Sequence, residues 1–216
     1  MPSVKMPRKS TATDMTPFVD IAFLILSFFI MATKFKPAEP VPVETPNSVS
    51  SDILKEENAL LITIDPESKV FINLSSPKGG SDKLSQVIEG VNTSRGLNLT
   101  PAQKASFTKA PIIGVPFSSL GGFLNLSPEQ QEKFKAPGIP VLDSINNELV
   151  WWIAEVKKAY AGEKLLYMVK GDNDSKYPTF EAVVNALRRN EEFKYNLITS
   201  REEAPAGTDL YRQRNR

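Results

Sequence analysis

Histidine and cysteine are both absent from the 216-residue sequence. Their absence excludes Ser-His-Asp and Cys-His nucleophile arrangements and removes the commonest ligands of transition metals. A chain without cysteine has no disulfide framework, so this feature does not identify the redox compartment. An enzyme with this composition would have to rely on carboxylates, lysine or tyrosine.

The sequence also lacks a strong excess of either charge, with 26 Lys and Arg against 25 Asp and Glu. Proteins that bind nucleic acids usually carry a basic excess, so no nucleic-acid partner is expected. A chain of 216 residues that is 41% apolar suits one globular domain plus a further segment. Ordinary domains of this kind have about 100 to 150 residues.

An apolar run near the N-terminus forms the further segment. Residues 15–33 read MTPFVDIAFLILSFFIMAT, and Asp20 is their only charged residue. Thr16 and Pro17 form a helix-start signal, because proline lacks an N–H group and threonine can cap a free amide. A helix over residues 16–36 would be roughly 30 Å long, which matches the hydrocarbon core of a bilayer. The sequence therefore predicts one membrane-spanning helix.

The residues that flank this helix indicate its orientation in the membrane and whether it is cleaved as a signal peptide. Three basic residues and one acid precede it, namely Lys5, Arg8, Lys9 and Asp14, and two basic residues follow the apolar run, Lys34 and Lys36. The positive-inside bias therefore favours a cytoplasmic N-terminus by a small margin. A cleaved signal peptide is the competing interpretation. An acid inside the apolar region is unusual for a signal peptide, and residues 31–34 form a poor cleavage site.

A domain of mixed structure is predicted after a proline-rich tether at residues 37–51. Its hydrophobic periodicity predicts an α+β fold with the order ββαβαβ over residues 52–200 and helices on one sheet face. The predicted elements are a β-hairpin of Asn58–Ile64 and Lys69–Asn73, a helix over Asp143–Ala161, a strand over Lys164–Lys170, a helix over Thr179–Arg189 and a last strand over Tyr195–Thr199.

An insertion at about residues 75–138 interrupts this order and is predicted to be mostly helical or irregular. Within it, LTPAQKASF at residues 99–107 is echoed by LSPEQQEKF at residues 126–134. Each segment starts with a capping hydroxyl and a proline, so two short helices are predicted. Duplication and chance explain the echo equally well. Residues 1–15 are predicted as a cytoplasmic segment and residues 201–216 as a solvated tail.

Asp20 is the candidate functional residue. An ionised carboxylate at the centre of a membrane helix costs about 2.5 to 3.5 kcal/mol and a protonated one far less, so such an acid is a natural proton switch. Ser27 and Lys34 follow at seven-residue spacing and share a helical stripe with it. Two plainer explanations stand beside this one. An acid in the first turn suits the helix dipole, and Ser27 can bond to its own helix backbone.

The string DMTPFVDIAFL at Asp14–Leu24 resembles the membrane-helix signature of the ExbD/TolR family of biopolymer-transport proteins, with its Thr-Pro-x-x-Asp core. The likeness continues along the chain. Further segments resemble that family's periplasmic domain in the same order, namely the hairpin, Asn147-Glu148-Leu149 with Trp152-Ile153, Leu165–Gly171 and Tyr177–Leu187. The insertion is longer than compact members of the family carry.

This resemblance implies a motor subunit of the cytoplasmic (inner) membrane, driven by the proton motive force, with its C-terminal domain in the periplasm. Two such helices would dimerise inside a ring of ExbB/TolQ-like subunits. A TonB-like or TolA-like protein would carry the energy to outer-membrane transport. Asp20 matches the family's protonatable acid, with H⁺ as the coupling ion and no cofactor or metal. Thr16 and Pro17 would fix the helix start, and Ser27 would make a polar contact.

Two other functions are weighed against the motor. A membrane-anchored module for peptidoglycan binding or envelope maintenance, like TolR, would tolerate any apolar residue in place of Asp20. A secreted enzyme would need paired acids, and the sequence offers adjacent glutamates at 56–57, 191–192 and 202–203. Neighbouring side chains point in different directions on a helix or strand, so no enzymatic activity is predicted.

Overall fold

A computed structural model describes residues 16–32, 43–48, 58–75, 81–109 and 112–201. The chain divides into two compact units, Met1–Ala38 and Glu39–Arg216. In its described residues the first unit contributes helix α1 (Thr16–Ala32). The second unit is a mixed α+β domain, as the fold class predicted.

Helix α1 contains 17 residues and begins at the predicted Thr16-Pro17 signal. The predicted membrane helix extends to residue 36, and residues 33–36 lie outside the described part of the chain. Within the described ranges, no helix combines the length and the apolar character that a membrane crossing requires.

The domain contains seven described strands and six described helices. The strands are β1 (Asn47–Ser48), β2 (Ala59–Ile64), β3 (Val70–Ser75), β4 (Ile112–Ile113), β5 (Leu166–Gly171), β6 (Asn196–Ile198) and β7 (Ser200–Arg201). The helices are α2 (Ser81–Arg95), α3 (Pro101–Lys109), α4 (Phe117–Leu124), α5 (Pro128–Lys133), α6 (Glu148–Ala159) and α7 (Tyr177–Arg189).

Five strands form the main sheet in the order β4-β3-β2-β5-β6. β2 and β3 are the predicted antiparallel hairpin, whereas β5 and β6 run parallel to β2. A turn at Asp65 closes the hairpin, because its carboxylate accepts the Lys69 N–H at 2.7 Å and Ser68 adopts a positive φ of 64°. The predicted order ββαβαβ is therefore confirmed, with β1, β4 and β7 added.

Alternate strand residues supply one side of the hydrophobic core. Ile62 pairs with Ile72 on one neighbouring strand and with Val169 on the other, and all three are fully buried. Residues two apart on a strand face the same side, so the alternate residues of each strand extend this buried face along the strand direction. Helices α6 and α7 complete the core from that side with Trp152, Ile153 and other buried residues.

Helix α6 begins later than predicted, at Glu148 instead of Asp143. The Asp143 carboxylate accepts the Ile145 N–H at 2.9 Å, which forms a local turn that competes with helix formation. Asn147 then caps α6 by accepting the Leu149 N–H at 3.1 Å. Ile145, which the helical stripe included, consequently lies outside the helix and is 84% exposed.

The insertion is mostly helical, with α2 to α5 and the short strand β4. Both helices predicted from the echoed segments are present as α3 and α5, and each starts at its proline. The insertion joins the domain core through Trp152 of α6, which stacks on Phe107 at 6.0 Å and on Phe117 at 5.6 Å between ring centroids. Offset stacking of this kind stabilises aromatic clusters beyond their area burial.

Helix α2 packs against α6 in the antiparallel direction. The Lys83 ammonium at its start donates to the Ala159 carbonyl at 2.9 Å, and Arg95 at its end lies over the Trp151 ring. At the middle of the pair, a Cβ atom on Gly90 would collide with the carboxylate of Glu155. A glycine there leaves room for the buried carboxylate of Glu155 between the two helices.

Glu148 links the start of α6 to the start of α4. Its Oε2 accepts the Phe117 N–H at 2.8 Å. Burial raises the pKa of Glu148, although this hydrogen bond and the charge of Arg95 both act to lower it. Desolvation is therefore the larger influence on this carboxyl group.

Residues 43–48, which we call the strap, belong to the predicted tether but bind the domain. The Glu44 N–H donates to Oδ2 of Asp172 at 2.8 Å, and the Asn173 N–H donates to the Glu44 carbonyl at 3.0 Å. The strap then continues into β1, which pairs with β7 in parallel. The described part of the predicted tether is thus attached to the domain.

Replacing Glu148 with Gln should make stability less dependent on pH. Above the ordinary carboxyl value of 4.5 and up to its raised pKa, folded Glu148 holds a proton that the unfolded chain has released. Stability therefore falls as pH rises through this window, and Glu148→Gln removes that loss. Urea unfolding of fragment 39–216 at several pH values would measure how the free energy of unfolding depends on pH in each protein.

A matched control for this experiment is Glu67→Gln, because Lys69 lowers the pKa of the exposed Glu67 instead of raising it. The control should not reproduce the gain in stability that Glu148→Gln shows with rising pH. Equal changes in the pH dependence of stability in the two variants would contradict the raised pKa assigned to Glu148.

Cysteines placed at Ser48 and Arg201 should form an intramolecular disulfide. These residues are Cα partners in the β1–β7 pair, and neighbouring strands lie about 4.8 Å apart, which suits disulfide geometry. The chain has no native cysteine to interfere. Non-reducing electrophoresis would detect the bridge, and Asp172→Ala should slow its formation because the Glu44 N–H loses its acceptor. A bridge formed solely between two chains, or one formed equally by Asn98→Cys with Arg201→Cys, would contradict this strap position.

Candidate functional site

Helix α1 is apolar on all sides. Each of its large apolar side chains between Phe18 and Ile30 is more than half exposed, from 52% for Ile25 to 68% for Phe18. A helix that is apolar all round is typical of one buried in a protein core or in a membrane. The exposed members are Phe18, Val19, Ile21, Phe23, Leu24, Ile25, Leu26, Phe28, Phe29 and Ile30.

Asp20 is the charged residue in this apolar surface. It is the fifth residue of α1, and the first turn contains no acidic residue. The dipole explanation placed Asp20 in a first turn that starts at Pro17, and the helix begins one residue earlier, at Thr16. Asp20 therefore lies at the edge of the region where free N–H groups favour an anion, and both explanations of Asp20 stand. The side chain of Asp20 is exposed and forms no hydrogen bond or ion pair with any described residue. Its carboxyl group is therefore open to a partner or to a proton.

Ser27 lies on the same stripe as Asp20, about 10 Å further along the helix axis. Its Oγ donates to the Leu24 carbonyl of its own helix at 2.9 Å. This bond favours the plainer explanation for Ser27, although its oxygen can still accept a hydrogen bond. Thr16 and Pro17 lie at the helix start as the sequence indicated, and Lys34 lies outside the described residues.

Two buried acids lie at the carboxyl ends of the parallel strands β2 and β5, where many α/β enzymes hold their sites. Asp65 is 5% exposed and Asp172 is 7% exposed. Backbone N–H groups engage both, from Lys69 on the first and from Glu44 and Asp174 on the second. These contacts close turns and hold the strap, so they explain the burial without a chemical reaction.

The adjacent glutamates considered for an enzyme do not form a catalytic pair in the described structure. Glu192 forms an ion pair with Lys157 at 3.1 Å, and the pKa of Tyr167 is raised by burial and by its proximity to Glu192. Glu191 sits at a turn with a φ of 63°. The pairs at 56–57 and 202–203 lie outside the described residues. Over the ranges with assigned structure, no cluster of acidic side chains could hold a metal ion.

Two functional features were not predicted from the sequence. Asp172 anchors the strap across a separation of 128 residues, and Arg95 stacks on two rings where the insertion meets α6. The Gly171-Asp172-Asn173-Asp174 segment does signal a turn after a strand. A turn signal does not identify a partner distant in sequence.

Comparison with known proteins identifies the family. The family model described as "Biopolymer transport protein ExbD/TolR" matches residues 6–202, which includes α1, the strap, the sheet and the insertion. Neither the curated proteins nor the solved structures gave a match. The order of elements agrees with the resemblance found in the sequence. The chain therefore belongs to the ExbD/TolR family of biopolymer transport proteins.

Proposed function

We propose that this protein is a motor subunit driven by the proton motive force, and that Asp20 carries the proton. Members of the ExbD/TolR family are non-enzymatic proteins that transduce energy for biopolymer transport, and they are anchored in the inner membrane with a periplasmic domain. They generally work with ExbB/TolQ and TonB/TolA partners. The observation that carries the proposal is one carboxyl group, past the first turn, on a helix that is otherwise apolar on every side.

The physical argument rests on the cost of charge in an apolar environment. An ionised carboxylate at the centre of a membrane helix costs about 2.5 to 3.5 kcal/mol, so ionised Asp20 would require polar neighbours. Protonation removes that requirement and lets the same helix face contact apolar neighbours. Each cycle of protonation would change which surface of a surrounding ExbB/TolQ-like ring the helix prefers. Coupling to proton flow would give this change a direction.

The domain would then transmit the motion of α1 to the partner that spans the periplasm. In this proposal α1 crosses the inner membrane with its N-terminus in the cytoplasm, and two copies associate within the ring. The strap supports mechanical transmission, since Glu44 and Asp172 fasten the chain to the domain before the sheet begins. A TonB-like partner would pass the energy to outer-membrane transport.

Asp20→Asn should abolish energy-dependent transport while the protein still inserts and folds, because the substitution preserves size and removes the titratable proton. Transport should fall to the level of a strain that lacks the protein. The measurement is proton-motive-force-dependent uptake in cells whose sole copy is the variant, together with the amount of protein in the membrane fraction.

Ser27→Ala is the matched control, because the Ser27 hydroxyl already donates to its own helix backbone. Its transport should stay within about twofold of the wild type, since removing an exposed polar group costs little. Normal uptake by Asp20→Asn would reject the motor and favour the alternative, a membrane-anchored module for peptidoglycan binding or envelope maintenance.

A further inference from the structure

An arginine stacked on two aromatic rings lies exposed where the insertion meets the domain. The Arg95 guanidinium carbon lies 4.9 Å from the centre of the Trp151 ring and 5.4 Å from that of Phe117. These residues come from three helices, since Arg95 ends α2, Phe117 begins α4 and Trp151 lies near the start of α6. Cation–π contacts on two rings restrict the orientation of the guanidinium plane.

The N–H donors of Arg95 are available for a ligand. Across the described chain, no carboxylate lies within ion-pair distance of the Arg95 guanidinium, and no group accepts a hydrogen bond from that guanidinium. The charge of Arg95 acts on the carboxyl group of Glu148, but Oε2 of Glu148 already accepts a hydrogen bond from the Phe117 N–H. Several lysines on the surrounding helices, by contrast, are already paired with glutamates, namely Lys83, Lys104, Lys157 and Lys158.

Exposed apolar side chains lie at the same end of α6. Trp151 is 40% exposed, while Leu142 and Ile145 in the preceding loop are 68% and 84% exposed. Arg189 of α7 reaches this loop, where its Nη1 donates to the Ser144 carbonyl at 2.7 Å. We call Arg95 and the exposed Trp151 beside it the arginine–tryptophan surface. Tryptophan and arginine are enriched among the residues that dominate the binding energy of protein interfaces.

We propose that the arginine–tryptophan surface binds an acidic peptide segment of a protein partner, with a carboxylate on Arg95 and an apolar side chain against Trp151. A planar guanidinium with free donors matches a carboxylate in two parallel hydrogen bonds. The partly exposed Trp151 ring beside Arg95 favours a peptide over an inorganic anion, because a small anion would leave that ring in water. The proposal rests on the motor function, since it gives the chemistry of a partner that receives the motion of the domain.

The experiment uses the full chain in detergent micelles and a blocked, dye-labelled peptide of alternating leucine and glutamate. Fluorescence anisotropy would report binding, and a peptide with glutamine in place of glutamate serves as the uncharged probe. The acidic peptide should bind at least about tenfold more tightly than the glutamine peptide. Arg95→Gln should weaken binding of the acidic peptide about tenfold, which is the loss expected at a dominant contact.

Two further variants separate charge from geometry. Arg95→Lys keeps the charge but loses the planar fork, so it should also bind more weakly than the wild type. Lys164→Gln removes an exposed positive charge beyond the other end of α6 and should change affinity by less than about twofold. Thermal unfolding of each variant would show that it is folded, which is expected because Arg95 is exposed.

Several outcomes would overturn the proposal. They are equal affinity for the two peptides, unchanged affinity in Arg95→Gln, displacement of the peptide by an equal concentration of inorganic phosphate, and no binding at millimolar peptide. Asp20→Asn should bind the peptide as the wild type does. Failure of this surface therefore appears as lost peptide binding with Asp20-dependent transport intact. Failure of the motor function would appear in transport alone.

Discussion

The burial of Trp152 joins the insertion and the ββαβαβ elements into one hydrophobic core. Its side chain is completely buried, and its ring stacks on one aromatic residue from α3 and on another from α4. Large buried aromatic side chains contribute strongly to core energetics. The insertion is also joined to the domain by the pairing of β4 with β3 and by the packing of α2 against α6, which places Arg95 over Trp151.

Local sequence signals were sufficient where the interacting groups are close in the chain. The hairpin followed from alternating apolar residues and the turn after Asp65, and the starts of α3 and α5 followed from a hydroxyl residue and a proline. The predicted start of α6 was wrong because Ile145 fits a helical stripe by spacing alone. The carboxylate of Asp143 instead takes the Ile145 N–H in a turn, and Asn147 provides the cap. Spacing does not show which of two local hydrogen-bond patterns prevails.

Other features depend on contacts between distant parts of the chain. The Glu44–Asp172 bond crosses 128 positions, and the stacked Arg95 requires three helices that converge only in the folded domain. No periodicity or motif in the sequence predicts contacts between residues that are so far apart in the chain. The position of Asp20 is different, since its significance depends on the apolar residues beside it in the chain. For that reason the candidate proton-carrying residue could be proposed before the fold was known.

The attachment of the strap determines where a mechanical load would enter the domain. A pull from the N-terminal side would reach the Glu44–Asp172 bond before it reached β2. The load would therefore fall on the β5–α7 turn, beside the parallel strands at the centre of the sheet. A force entering at this turn would act on β5 before it acted on β2, the first strand of the hairpin.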